Sequence, residues 1–68
     1  MISMTLTTYE VMMIKGRLMV ELSYGPSVYD KEQLSIMLGA YKKFCKAGYK
    51  EGGEQEFIAK ITKMLEEL

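Results

Sequence analysis

A single thiol is the most reactive side chain of this sequence. Cys45 is the one Cys among 68 residues, and the sequence contains no His. A nucleophilic Cys needs a base, usually His, and a zinc site needs several Cys or His ligands. Neighbouring lysines could lower the pKa of the thiol. However, Cys45 lies on the apolar face of a predicted helix, which favours the role of a small buried hydrophobe.

Carboxylates form the second group with possible chemistry. Glu51, Glu54 and Glu56 fall in a predicted linker and the first turn of a predicted helix, where solvation and capping account for them. The sequence contains no phosphate-binding loop, dinucleotide fingerprint or nucleophile elbow. A chain of this length also has little room for a pocket of a few hundred Å³. We therefore expect a protein that is not an enzyme and that needs no cofactor or metal.

Lysines form the third group, on one broad side of the predicted middle helix or just beyond it. They are Lys31, Lys42, Lys43, Lys46 and Lys50. A solvated helical face explains them most simply; the alternative is contact with an acidic protein or a phosphate backbone, with Tyr29 and Tyr49 adding stacking. Nine basic and nine acidic residues give a formal net charge of zero. A dedicated nucleic-acid binder needs a positive excess, so a weak nucleic-acid accessory role is only an alternative.

The second half of the chain has two segments with helical periodicity. Apolar residues recur on one face over about 28–46 and again over about 54–67. The linker between them is short, so the two helices should pack as an antiparallel hairpin.

Local signals mark the ends of the middle helix. Either Ser27 with Asp30, or Asp30 with Gln33, forms an N-terminal cap with a polar partner three residues on. Gly48, followed by an apolar residue, is typical of a C-terminal cap. Gly39 within the helix costs about 1 kcal/mol relative to Ala, and we expect another backbone to approach closely there.

The segment over about 6–24 decides the fold class. Its alternation of residue types favours a β-hairpin with a two-residue turn at Lys15-Gly16. In that pairing Glu10 lies opposite Glu21, which is unfavourable. The core face of the hairpin then carries six side chains: Tyr9, Val11, Met13, Leu18, Val20 and Leu22. The preferred fold is therefore α+β, a small two-layer ββαα unit with the hairpin packed on the antiparallel helices.

An all-α three-helix bundle is the alternative, with a first helix over about 8–24. Thr7 and Glu10 have the spacing of a capping box, and Gly25 followed by Pro is a helix stop. On a helical wheel, however, the apolar residues spread nearly all round, and Lys15 falls in the middle of the best apolar arc. Such a helix would need burial on almost every side, so we prefer the hairpin.

Self-association is the expected way to complete so small a fold. A single domain of 68 residues with one Cys cannot be reinforced by a disulfide within the chain. The hairpin would leave unpaired edges and an apolar outer strip, which another copy could cover. The predicted interaction residues are Met12, Ile14, Met19 and Tyr24. We therefore predict a homodimer formed through the N-terminal region.

The function expected from these patterns is that of a small protein-binding module without catalytic activity. An alternative is an inhibitor encoded by a phage or mobile element, which would block a host enzyme or defence complex by covering its surface. No apolar run approaches the roughly 20 residues that cross a bilayer, and the first residues do not have the pattern of a signal peptide. Together with the lone Cys, these features predict a cytoplasmic protein.

Overall fold

The architecture is an all-helical bundle. The computed structural model describes residues 4–47 and 52–68. Helix α1 spans Thr8–Tyr24, α2 spans Lys31–Ala47 and α3 spans Glu54–Glu66, with a 3₁₀ turn at Gly25–Ser27 between α1 and α2. Within the described ranges the chain forms no β-strand. The predicted β-hairpin and ββαα unit are therefore wrong, and the alternative, a three-helix bundle, is the observed fold.

Both ends of α1 are set by local signals. The Thr7 hydroxyl accepts a hydrogen bond from the Glu10 N–H at 3.1 Å, and the Glu10 carboxylate accepts one from the Thr7 N–H at 2.8 Å. This reciprocal cap satisfies two N–H groups that the helix leaves unpaired. At the other end Gly25 has φ 61°, a conformation that favours glycine. A Cβ there would also lie 3.1 Å from the Met64 sulfur.

The helical period explains why the hairpin prediction failed. Residues that alternate along a strand share one face, whereas on a helix they point in different directions. Of the six residues assigned to the hairpin core, Val11 and Leu22 are buried and Leu18 is half-buried. The other three are exposed, namely Tyr9, Met13 and Val20. The alternation of residue types over about 6–24 therefore does not reflect pairing between strands.

Helix α2 begins with a second reciprocal cap. The Gln33 N–H donates to the Asp30 carboxylate at 2.8 Å, and the Asp30 N–H donates to the Gln33 side chain at 3.0 Å. Ser27 is not part of this cap, because its hydroxyl donates to the carbonyl of Tyr24. The helix consequently starts three residues later than predicted.

Two predictions about glycines in this region have different outcomes. At Gly39 a Cβ would meet nothing within 4 Å, so the expected close approach of another backbone is wrong. The predicted C-terminal cap at Gly48 and Tyr49 lies outside the described residues.

The core is built around α2, against which both α1 and α3 pack. Its buried residues come from all three helices and are Leu22, Leu34, Leu38, Tyr41, Cys45 and Ile61. The rings of Tyr41 and Phe57 meet edge to face, with centroids 5.3 Å apart, an arrangement that aromatic pairs favour. Where α2 begins and the chain after α3 ends, the Lys31 ammonium donates a hydrogen bond to the Leu68 carbonyl at 3.4 Å. The bundle therefore holds the inward face of α1 and leaves its outward face uncovered.

Candidate protein-docking surface

A buried ion pair joins the middle of α1 to the start of α3. Lys15 is only 3% exposed and Glu54 is 9% exposed. The Lys15 ammonium donates to the Glu54 carboxylate, and this hydrogen bond lowers the pKa of Glu54. Sequence reasoning missed the pair because it counted Lys15 against a helix and Glu54 as a capping residue. The available signal was a lysine in the centre of an apolar arc together with a carboxylate at a helix start.

The ion pair determines which face of α1 points inward. Because α1 is apolar on most sides, hydrophobic burial alone discriminates weakly between its possible rotations. A rotated helix would separate Lys15 from Glu54 and leave one charge buried without its partner, which is strongly unfavourable. We infer that this pair fixes the rotation of α1, and therefore the set of residues that reaches the surface.

Two further polar side chains lie in the core beside this pair. Burial raises the pKa of Tyr41 to about 12, with a smaller contribution from Cys45. Burial likewise raises the pKa of the Cys45 thiol, which is only 8% exposed. The prediction that Cys45 is a small buried hydrophobe is thus confirmed, and its thiol stays protonated at neutral pH.

The face of α1 opposite Val11, Lys15 and Leu22 carries an apolar row that we call the outer stripe. Its members are Tyr9, Met13, Gly16, Val20 and Tyr24. The four side chains are 74%, 59%, 46% and 54% exposed in that order, omitting the glycine. Their spacing of four, three, four and four residues keeps them on one face of a helix with 3.6 residues per turn. Spacing of this kind forms the contact seam between packed helices.

Polar groups border the outer stripe on one side. Arg17 pairs with Glu21 at 2.9 Å, and the same glutamate accepts a hydrogen bond from the Tyr29 hydroxyl. A shallow apolar groove lies beside them, lined by Met13, Ile14, Gly16, Arg17 and Val20. An apolar centre with a polar rim is the usual anatomy of a protein interface.

The predicted interaction residues do not share one face. Tyr24 belongs to the outer stripe, whereas Ile14 lies on one flank of the helix. Met19 and the half-buried Met12 lie on the opposite flank. The hairpin pattern grouped these four by alternation, and it assigned most of the outer stripe to the core. The helical spacing of residues 9, 13, 16, 20 and 24 would have identified the stripe once Lys15 was placed inward.

The predicted basic residues of α2 are exposed, and they are Lys31, Lys42, Lys43 and Lys46. Lys50 lies outside the described residues. Lys42 and Lys46 also line a cavity of about 660 Å³ between the end of α2 and the start of α3, with Cys45 in its wall. Among the residues that the structure describes, no three potential ligands group into a metal site. Binding by the basic face stays a prediction.

No family model, curated protein or solved structure matches this chain. In residues 4–47 and 52–68, no helix combines the length and the hydrophobicity that a bilayer span requires. Function is therefore inferred from the geometry of the described residues.

Proposed function

We propose that this chain is a non-enzymatic protein-binding module that docks through the outer stripe of α1. One observation carries the proposal: four large apolar side chains form a continuous exposed row on the helix face opposite the core. With about 200 Å² for each large side chain, their exposed fractions amount to roughly 450 Å². This is the size of the largest apolar patch on a typical monomer, about 300–600 Å², and such a patch is often functional.

The shape of the outer stripe fits a protein better than a small molecule. From Tyr9 to Tyr24 it extends about 22 Å along the helix, at 1.5 Å per residue. Small molecules favour concave pockets that enclose most of their surface, whereas the groove beside the stripe is shallow. An exposed helix with anchors at successive turns is a common mode of protein recognition. The tyrosines at both ends combine an apolar ring with a polar tip, as interface residues often do.

The helix that carries the outer stripe is held by contacts at both ends and in its middle. The reciprocal cap of Thr7 and Glu10 fixes the start of α1, and Gly25 ends it. The buried ion pair of Lys15 with Glu54 ties the middle of α1 to the start of α3. A helix that is already formed does not lose the conformational entropy of folding on binding, which strengthens the association.

Site-specific photo-cross-linking tests this proposal. A benzophenone amino acid replaces Val20 in one variant and Ile36 in the other, and both are irradiated in the native host. Ile36 lies on α2 and is 66% exposed, so it is at least as accessible as Val20. We expect protein adducts from position 20 and none of the same adducts from position 36.

A second arm adds Met13→Glu to the position-20 variant, which should abolish the adducts. Equal labelling from both positions, or no protein adduct from position 20, would refute the proposal. An adduct with a host enzyme or defence complex would favour the inhibitor alternative, with the outer stripe as the blocking surface.

A further inference from the structure

The four side chains of the outer stripe are arranged symmetrically along the helix. The centre of symmetry lies between Gly16 and Arg17: Tyr9 stands as far before this point as Tyr24 stands after it. Met13 and Val20 are related in the same way. A two-fold interface uses the same patch on both subunits, so that residue i contacts j while j contacts i. The stripe therefore has the self-complementary spacing that such an interface needs.

We infer that the outer stripe binds a second copy of this chain, with the two α1 helices antiparallel about a two-fold axis beside Gly16. This inference rests on the proposed function and names its partner. Tyr9 of each copy then faces Tyr24 of the other, and Met13 faces Val20. These pairings place a large side chain beside a smaller one at the inner positions, which allows them to interlock. The antiparallel direction also opposes the two helix dipoles.

Gly16 lies where the two helices would approach most closely. A Cβ at this position would meet nothing within 4 Å inside the chain, so packing within one copy gives no reason for glycine. Packed helix axes lie about 8–10 Å apart, depending on the side chains at the contact. The absence of a side chain at Gly16 favours the shorter of these distances. In the same region Arg17 is already paired with Glu21, which reduces the repulsion between the two copies of Arg17.

The buried area and the charge both fit a second copy. Two outer stripes face to face can remove up to roughly 900 Å² from water, so the flanking side chains must contribute as well to reach the ~1,000 Å² that marks a specific interface. Such an area lies at the small end of the range, so we expect dissociation in the micromolar region. A formal net charge of zero means that two copies meet without overall repulsion.

Single-cysteine cross-linking tests the arrangement directly. In a Cys45→Ala background, Tyr9→Cys and Tyr24→Cys are prepared separately and treated with a short bismaleimide, alone and as a mixture. Two copies of residue 9 lie about 22 Å apart in the antiparallel pair, so each variant alone should stay uncross-linked while the mixture forms covalent dimers. Ile36→Cys, on the exposed side of α2, measures the background of non-specific cross-linking between exposed cysteines. Strong dimers of residue 9 with itself would overturn the antiparallel arrangement.

Sedimentation velocity over about 1–300 μM tests the second copy itself. Wild type should change from monomer to dimer, Gly16→Leu should weaken the dimer at least tenfold, and Gly39→Leu should not. Gly39 is the matched control because a Cβ there is equally unobstructed, and circular dichroism verifies that each variant is folded.

A wild type that stays monomeric throughout would overturn the inference. If position 20 then still cross-links to another protein, the proposed function survives. If those adducts are absent as well, both proposals fail.

Discussion

Replacing Gly16 by Ala distinguishes the helical α1 from a β-hairpin by the sign of one free-energy change. In the helix Gly16 has ordinary helical geometry, and an added Cβ meets nothing within 4 Å. Ala in a helix interior is more favourable than Gly by about 0.5–1 kcal/mol. We therefore expect Gly16→Ala to raise the free energy of unfolding by that amount, and the thermal midpoint by about 2–8 °C.

Two other glycines calibrate the effect. Gly39→Ala, in α2, should raise the free energy of unfolding by the same amount because its Cβ is also unobstructed. Gly25→Ala should lower it by about 1–2 kcal/mol, since φ is 61° there and a Cβ would lie 3.1 Å from the Met64 sulfur. Urea unfolding followed by far-UV circular dichroism gives the three values, measured at a concentration where the chain is monomeric.

The hairpin makes the opposite prediction for Gly16. As the second residue of a tight turn it would need a positive φ, and Ala would lower the free energy of unfolding as it does at Gly25. A loss of about 1 kcal/mol at Gly16, alongside a gain at Gly39, would refute the helical account of α1.

Three further predictions concern the core. Leu22→Ala should lower the free energy of unfolding by about 2–4 kcal/mol because the side chain is fully buried. Val20→Ala should change it by less than about 1 kcal/mol because Val20 is exposed. Equal losses of the two variants in chemical denaturation would contradict the helical register. The hydrogen bond from Lys15 lowers the pKa of Glu54 below 4.5. The stabilisation by this ion pair is therefore complete above pH 4.5 and is lost as the pH falls through the lowered pKa of Glu54. Glu54→Gln should therefore be less stable than wild type at neutral pH, and its free energy of unfolding should fall less on acidification. If the free energy of unfolding of the two proteins falls equally as the pH is lowered, the ion pair does not stabilise the fold. Burial raises the pKa of Tyr41 to about 12, and the hydrogen bond to Glu21 also raises the pKa of Tyr29, so absorbance titration should show a late step from each. The contribution of Tyr41 to stability should fall as pH rises above about 10; Tyr41→Phe should remove the step near pH 12, and persistence of that step would assign it to another residue.

The N-terminal caps of α1 and α2 could be predicted from the sequence because capping is local. Thr7 with Glu10, and Asp30 with Gln33, form the reciprocal caps that their spacing indicates. The apolar face of α2 was also predictable, since its buried residues recur at helical spacing.

The fold class was not predictable because the decisive contact is distant in sequence. Lys15 made a helix seem unfavourable, and its partner Glu54 lies 39 residues further along the chain. With that partner unknown, the period-two pattern was preferred to a helix with a charge in its apolar arc. The same error placed Met13 and Val20 in the core, although they lie on the outer stripe.

Methyl NMR of the methionines tests most directly whether the outer stripe is the surface through which the chain associates. The methionines within the described residues report on different surfaces: Met13 is exposed on the stripe, whereas Met37 and Met64 pack against the core. On raising the protein concentration, or adding a partner identified by cross-linking, the Met13 methyl signal should shift while those of Met37 and Met64 stay in place. An unchanged Met13 signal, with shifts confined to other methionines or absent altogether, would contradict the account.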